Sequence, residues 1–579
     1  MIKFVKLIAF PLLIIPFIVL SCKSNSASPD TEAPAIQLTY AEEYTYSFAS
    51  GMVPITAVVT DNEAVDRVEF FIVGEDISDL IETDYSIPFE LNWNTANYDN
   101  CSTWLIYAIA YDESGNSEQS NFHTFNVDNS TESETEVQLW LTEGMGSAHL
   151  EQKPNRFFKT SSCGSANLIE VHPDQIFQQI DGFGAALTHS SAMLINNSPN
   201  RELIIQKLFS KDEGIGISYI RLAIGASDFV QCPHFSYDDV DGDTDLSEFS
   251  IDPDRDDLLP VLQDILLINP ELKIVASPWS APGWMKTSGS MIGGELLPQY
   301  YNAYANYFLK YIQAYQAEGI LIDAVTIQNE PGYVPGDYPG MYMNSSMQAS
   351  FIRDYLGPVL TQNGIDTKIL VFDHNWGWDP DLTSGADFVL DIYIDPEAAQ
   401  YIDGSAWHGY GGDVIAQSLV HNAYPDKNIY FTERTNSTIW ENWDGVPGHI
   451  TKYYFMDVLN NWSKNVLLWN LVLDPDNEPH CGGCDNCTGL ITADGSQLSY
   501  EVDYYITGHF SKFVETGANK IGVSQSLSGV ESVAFQNPDG SKIVIVVNTG
   551  YDRRSFYLVQ DDLSLYYSLA GQALATFIW

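Results

Sequence analysis

The sequence predicts a multidomain protein built around a (β/α)8 TIM barrel, with all-β segments on both flanks. Three observations carry this. Apolar strand-like runs alternate eight times with amphipathic helical stretches over roughly 320 residues, the size class of a barrel with loop insertions. Before that region lie evenly spaced short strands without helices, the pattern of a β-sandwich. After it, the chain returns to strands alone. At 579 residues the chain is too long for one hydrophobic core, so several domains are required. An apolar content of 45% with 13% aromatics is that of a folded protein with rings to spare for a ligand cleft. The formal charge of −51 argues against nucleic acid and anionic membranes as partners.

Taken in order, the chain opens with a targeting segment. Lys3 and Lys6 make a positive head, and Leu7 to Leu20 an apolar core too short for a comfortable membrane span. The segment ends Val19-Leu20-Ser21-Cys22, which resembles the lipobox of bacterial lipoproteins. That resemblance implies a signal peptide over 1–21 and acylation of the Cys22 thiol. Export would then end with a lipid anchor in the bacterial outer membrane, the chain's only membrane contact. Ordinary secretion with an incidental Cys22 is the alternative. Residues 22–31 are a polar tether. Residues 32–128 hold strands at Pro54–Thr60, Val68–Val73, Phe89–Trp93 and Trp104–Ala110, separated by turn clusters such as Asp61-Asn62. Within this β-sandwich, Thr60–Val65 and Tyr111–Asn116 resemble bacterial immunoglobulin-like modules. Trp93 and Trp104 suit sugar binding or the core, and the core is the commoner place for each. The polar run Asp128–Glu136 puts a linker at 129–135.

The barrel is expected over 175–501. Its eight strands lie near Ile180–Gly184, Tyr219–Ala223, Lys273–Ser277, Ala324–Gln328, Lys368–Phe372, Ser405–His408, Asn428–Thr432 and Asn465–Asn470. The clearest helix is Pro298–Gly319, with Tyr301, Tyr304, Phe308, Tyr311 and Ile312 on one face. A doubly wound sheet is the other option but needs fewer strands. Strands at Val530–Gln536, Lys542–Asn548, Arg554–Leu558 and Ala573–Trp579 make a second β-region. The strand Glu136–Leu141 should pair with it, so residues 136–174 and 502–579 form one side β-domain, a sandwich.

Two strand ends carry carboxylates. Ala324-Val-Thr-Ile-Gln-Asn-Glu-Pro331 is a β-branched run stopped by Pro331, and it presents Glu330 beside Asn329. Asn428-Ile-Tyr-Phe-Thr-Glu433 ends on Glu433 in the same way. C-terminal strand ends face the active site of a TIM barrel. A lone Glu there reads best as a solvated residue. Two on matching strand ends are the minimum kit for cleaving a glycosidic bond.

Eight motifs occur in order: Asp181–Thr188, Arg221–Phe229, Ala276–Lys286, Gln328–Pro331, Phe372–Asn375, Ala406–Tyr410, Tyr430–Glu433 and Leu468–Leu471. Together they resemble glycoside hydrolase family 30, the family of glucosylceramidases and β-1,6-glucanases, over Glu136–Trp579. The resemblance implies a retaining mechanism with Glu330 as acid/base and Glu433 as nucleophile. An acid must be protonated at working pH, so Glu330 should have a raised pKa. Arg221 is a charge partner for Glu433, or a structural ion pair in the mouth, or both. Asn329 would bind the sugar 2-OH, and Trp279 and Trp469 would wall the −1 sugar; alone, either Trp reads as core. His408 and Tyr410 would orient the nucleophile, and Asp373 and His374 would line the rim. At the position after the first motif, glucosylceramidases carry an Asp that binds the far hydroxyls, and this chain has His189. His189 is therefore expected to set sugar choice, against the plain reading of a loop His satisfied by backbone. Tyr333, Tyr338, Trp376, Trp378, Trp440 and Trp443 would serve as outer subsites or as loop packing.

The leading reading is a retaining β-glycosidase on β-1,6-glucan, or on β-1,6 branches of a β-1,3-glucan. Glucosylceramide, xyloside and fucoside are the alternative substrates. A non-catalytic surface glycan-binding lipoprotein is the alternative of another class, disfavoured because both carboxylates are present. No nucleotide motif occurs and no cofactor or metal is expected. The run Asp238–Asp245 lacks the glycine and glutamate of a calcium loop and reads as solvated. Cys481, Cys484 and Cys487 suit disulfides in an exported chain better than zinc, with pairing undetermined. The chain reads as a monomer acting on a β-linked glycan.

Overall fold

The computed structural model describes residues 30–579 except 42–43, 45–47, 75–76, 145–147, 161–166, 379, 438–442 and 444. The leader, Cys22, Cys163 and Trp440 lie outside the described residues. Two compact units are present, divided between Asn129 and Ser130.

The first unit is a β-sandwich. One sheet holds Ala35–Tyr40, Met52–Thr60 and Phe89–Asn94; the other is built on Val65–Val73 and Thr103–Asp112. Alternation explains the packing: Val68, Phe70 and Ile72 turn inward to meet Val53, Ile55 and Trp93. Trp93 is therefore core, and Trp104 packs edge-on against Tyr98 at 4.7 Å.

The second unit contains the barrel. We number its strands β1 (Gly182–Ala185), β2 (Tyr219–Ala223), β3 (Lys273–Ser277), β4 (Ala324–Thr326), β5 (Lys368–Asn375), β6 (Ile402–His408), β7 (Asn428–Glu433) and β8 (Ser463–Leu468). All pair in parallel and in sequence order, with β8 returning to β1. The ring closes at a single bridge, Ala186 to Arg221, just past β1. Seven strands each send one side chain into the lumen: Tyr219, Val275, Ala324, Leu370, Ala406, Tyr430 and Leu467. They plug the barrel, so a ligand can reach only its ends. Helix Tyr301–Ala317 buries Tyr304, Phe308, Tyr311 and Ile312 as its spacing predicts.

Nine more strands form one continuous sheet that closes on itself around Val137, Leu139, Phe158, Val544 and Phe577. Three come before the barrel and six after it. The first, Glu132–Thr142, pairs with the last, Leu574–Ile578. Neighbours are antiparallel apart from Leu168–Gln179 against Arg554–Gln560. Three boundaries differ from the sequence reading. The strand Leu168–Gln179 carries the side sheet past the expected limit at 174, so the barrel begins only after Gln179. Glu132–Thr135 is strand rather than linker; its charges alternate along a partly exposed edge, which in sequence looks like a polar tether. Residues 502–511 are a helix beneath β1, where Phe510 meets Phe183 at 5.5 Å, so the side sheet resumes only at Asn519.

Candidate active site

Strand β4 ends at Thr326, and the backbone must turn sharply to bring Asn329 and Glu330 over the mouth. Glu330 does this at φ 47°, its N–H donating to the Asp373 carbonyl at 2.9 Å. In β5 a bulge follows Phe372 (φ 75°) and Asp373 (φ 69°), and at the end of β8 Asn470 has φ 53°. Left-handed backbone costs a non-glycine residue about 1–2 kcal/mol. Four such residues on one barrel face mark a place where function outweighs local preference.

Beneath the mouth lies a charge network centred on the fully buried Arg221, Asp373 and His408. Arg221 donates through Nη1 to Glu433 Oε2, and through Nη2 to Asp373 Oδ2 at 2.8 Å and Asn329 Oδ1 at 2.7 Å. Asp373 also accepts from Ser277 (2.7 Å), Thr326 (2.8 Å) and Thr432 (2.6 Å). His408 bridges upward, with Nε2 3.0 Å from Asp373 Oδ1 and Nδ1 3.1 Å from Glu330 Oε1. The same Nδ1 is 3.8 Å from Glu433 Oε1, so one nitrogen reaches both strand-end carboxylates. That closeness suits the short separation of a retaining pair, about 5–5.5 Å, and barely permits the roughly 6.5–9.5 Å of an inverting one. Tyr410 donates to Glu433 Oε1 at 2.9 Å, which leaves both oxygens of Glu433 oriented by donors.

Proton placement differs from the sequence expectation of a raised Glu330. Burial pushes this carboxyl up, but the imidazoles of His374 and His408 pull it below the ordinary carboxylate range. Burial pushes His408 down, yet the charges of Glu433 and Asp373 lift it to about 9. Both nitrogens of His408 face carboxylates, and only the imidazolium donates to both. The proton of the Glu330–His408 pair therefore rests on the ring, one hydrogen bond from Glu330.

Above the network is a cleft of about 690 Å³. Its lining includes Trp279, Asn329, Glu330, Tyr410, Glu433 and Trp469 among the residues singled out in sequence. The two indoles stack at 5.2 Å, and the Arg221 guanidinium lies 4.8 Å from the Trp279 ring. Arg221, Asp373 and His408 are fully buried below the floor, whereas His374 reaches the lining. His189 is not brought to the cleft. It starts the helix after β1, with Nε2 2.8 Å from Asp254 Oδ1 and its ring edge-on to Phe235. Asp254 is wholly buried and takes further bonds from Tyr237 and Tyr315, so His189 serves a buried carboxylate.

A third carboxyl, Asp228, joins Glu330 and Glu433 in the cleft lining, and sequence reasoning missed it. Burial, then the charge of Glu433, pushes it up to about 8. The available signal was its place within the Arg221–Phe229 motif. Its loop is pinned by the disulfide Cys232–Cys481 and by the Cys481 N–H donating to the Asp228 carbonyl at 2.7 Å. A Cβ at Gly483 would come within 2.6 Å of Asp228, so only glycine lets the two loops approach this closely. Another disulfide, Cys484–Cys487, lines the cleft. Arg434, Thr435 and Asn375 also line it. Of the outer aromatics, Tyr333, Tyr338 and Trp378 line it too, while Trp376 stacks on Phe431 at 5.8 Å and Trp443 on His149 at 4.5 Å. In the acidic run Asp238–Asp245, Asp238 is buried rather than solvated. Donor atoms of Glu330, His374 and His408 lie within 4.8 Å of one another, a set able to hold a metal ion.

Comparison with known proteins gives three matching domains. Residues 180–514 match the Glycosyl hydrolase family 30 TIM-barrel domain, 517–577 the Glycosyl hydrolase family 30 beta sandwich domain, and 34–105 the Bacterial Ig domain. The chain is 37% identical over 405 residues to an endo-1,6-β-D-glucanase of Neurospora crassa, covering 66% of this chain and 81% of that one. It is 30% identical over 452 residues to the lysosomal acid glucosylceramidase of Mus musculus, covering 73% and 85%. Among solved structures, the endo-β1,6-glucanase BT3312 superposes with a TM-score of 0.72 at 33% identity, over 77% of this chain and 99% of that one.

Proposed function

Because the chain belongs to glycosyl hydrolase family 30, we propose that it is a retaining β-glycosidase acting on β-1,6-linked glucan. One observation carries the chemistry: Glu330 and Glu433 meet the same buried imidazole nitrogen inside an aromatic cleft. Glu433 attacks the anomeric carbon, held by Arg221 and Tyr410 so that one oxygen lies in line. Glu330, reloaded by His408, gives a proton to the leaving glycosidic oxygen. A glycosyl ester on Glu433 results. Water then attacks the same carbon, Glu330 takes its proton, and the ester bond breaks with the original configuration restored. As the ester forms, the Glu433 charge disappears, and Asp373 keeps Arg221 paired. Asn329 and Asp228 grip the sugar hydroxyls, while Trp279 and Trp469 cover its apolar face.

The substrate choice is supported by the endo-1,6-β-glucanases among the relatives and by the outer aromatics Tyr333, Tyr338 and Trp378 in the cleft lining. Glucosylceramide is the second reading, favoured by the 30% identity to a glucosylceramidase. A linear β-1,6-glucan should give a ladder of oligosaccharides whose new reducing ends first appear in the β configuration by proton NMR. Faster cleavage of glucosylceramide, or α-configured first products, would overturn the assignment.

We also propose export and acylation at Cys22. Two disulfides, Cys232–Cys481 and Cys484–Cys487, suit an oxidising compartment. No helix among the described residues is long and apolar enough to cross a membrane. Labelled palmitate should enter the intact chain and not the Cys22→Ala variant; equal labelling would exclude this anchor.

A further inference from the structure

We propose that the cleft floor binds one zinc-class divalent cation through Glu330 Oε1, a ring nitrogen of His374 and His408 Nδ1, and that this cation inhibits hydrolysis. The inhibition rests on Glu330 being the proton donor; the binding does not.

The distances fit a metal tetrahedron. Glu330 Oε1 is 3.1 Å from His408 Nδ1 and 3.4 Å from His374 Nδ1, and all three donor atoms lie within 4.8 Å of one another. Zinc bonds of about 2.0–2.2 Å set neighbouring tetrahedral ligands roughly 3.4 Å apart. Small side-chain rotations would therefore complete three of the four bonds, the cation displacing the Nδ1 proton of His408 to solvent, and the cleft leaves the fourth to water.

His374 supplies independent evidence. It is 3% exposed; its Nδ1 stands 3.4 Å from Glu330 Oε1 outside good hydrogen-bond geometry, and its Nε2 has no hydrogen-bond partner among the described residues. A buried imidazole with one loose contact and one unmatched nitrogen is an exception that calls for an explanation. His408 is already supported as metal-binding histidines are: its far nitrogen is held by Asp373 Oδ1 at 3.0 Å, and Asp373 is itself fixed by Thr432 and Arg221. Two imidazoles and one carboxylate select zinc, copper or nickel over calcium and magnesium, which prefer oxygen. Glu433 lines the same cleft, in a chain of formal charge −51, and so favours a cation. Once bound, the metal occupies the oxygen that Glu330 uses to hold a proton.

The test uses the full chain in chelator-stripped buffer. Calorimetric titration with zinc chloride should show one saturable site, and cobalt(II) should give the visible absorption of a tetrahedral nitrogen–oxygen site. His374→Gln should weaken zinc binding about tenfold or more and abolish the cobalt band. Glu330→Gln is the second variant and should lose the same band if His374→Gln does not fold. Zinc should inhibit hydrolysis competitively, with recovery on adding a chelator. Absence of saturable binding to the parent chain would overturn the site, as would His374→Gln binding within twofold of it. Saturable binding without inhibition would overturn the inhibitory role alone. The cobalt band needs no turnover, so a wrong substrate assignment leaves this test intact.

Discussion

Asp373→Asn is the most informative single change, because the structure dictates how the amide must sit. Every neighbour of Asp373 is a donor: Arg221, Ser277 and Thr326 on Oδ2, His408 and Thr432 on Oδ1. An amide has one acceptor oxygen and one NH2. Arginine cannot accept, so the oxygen must stay with Arg221 and the NH2 must face His408 and Thr432. Thr432 can rotate its hydroxyl. His408 can accept only as the neutral ring, which removes the proton reserve beside Glu330. Two charge-assisted bonds are thereby weakened or lost, those to Arg221 and His408. At about 1.5–3 kcal/mol for a bond to a charged group, partly retained by the amide, a net loss near 3 kcal/mol is expected. With an unfolding entropy of roughly 2 cal/mol/K per residue over about 450 residues, that lowers Tm by about 3 °C. Activity should suffer more, with kcat/KM down about tenfold to a hundredfold through loss of the proton reserve. Differential scanning calorimetry and steady-state kinetics on the full chain decide it. A variant that keeps parental kcat/KM would show that the buried charge network does not serve the reaction.

Three further predictions follow from the same geometry. Glu433→Gln should abolish turnover of every substrate, whereas Glu330→Gln should spare the first step on an aryl glycoside with a good leaving group; equal loss in a pre-steady-state burst would refute the assignment of roles. Asp228→Ala should cut kcat/KM by about fivefold to a hundredfold, for two lost hydrogen bonds, whereas His189→Ala should lower Tm and leave the ratio of kcat/KM for aryl glucoside and xyloside unchanged. His509 is fully buried between Thr142 and Thr576, and burial lowers its pKa to about 3. Its unfolded value is about 6.5, so the unfolded chain binds more protons, and stability present above that pH is lost as pH falls. By pH 5 the loss is about 2 kcal/mol, read as a urea-midpoint difference between pH 8 and 5 that shrinks in His509→Gln.

Much of this was legible because barrel strands write their own boundaries. The run Ala324–Gln328 halted by Pro331 announces Glu330, and the run Asn428–Thr432 announces Glu433, whatever the loops do. Arg221 was readable for the same reason. His189 was not: its motif gives a chain position, but its partner Asp254 lies 65 residues further on, and no local pattern points to it. Asp228 hid likewise, because its exposure to the cleft depends on a loop fastened 249 residues away by Cys232–Cys481. The low protonation of Glu330 was misjudged because burial and two imidazoles oppose each other, and only distances decide which wins. Glu132–Thr135 failed for want of apolar residues, since that edge faces outward.

The pairing of Glu132–Thr142 with Leu574–Ile578 also bears on how the protein is made. As the chain emerges N-terminus first, the edge from Gln138 to Thr142 has no partner until Ile578 has been synthesised. At about 5–20 residues per second that wait is on the order of tens of seconds, with the barrel able to assemble in the interval. The last strand is thus a clasp whose arrival ends the exposure of an apolar edge that would otherwise pair with another chain. Loss of the final six residues, by a frameshift or a trimming protease, leaves the catalytic cleft untouched in sequence. It exposes two edges of the side sheet, along Lys542–Asn548 and along the first strand, and makes aggregation the first symptom.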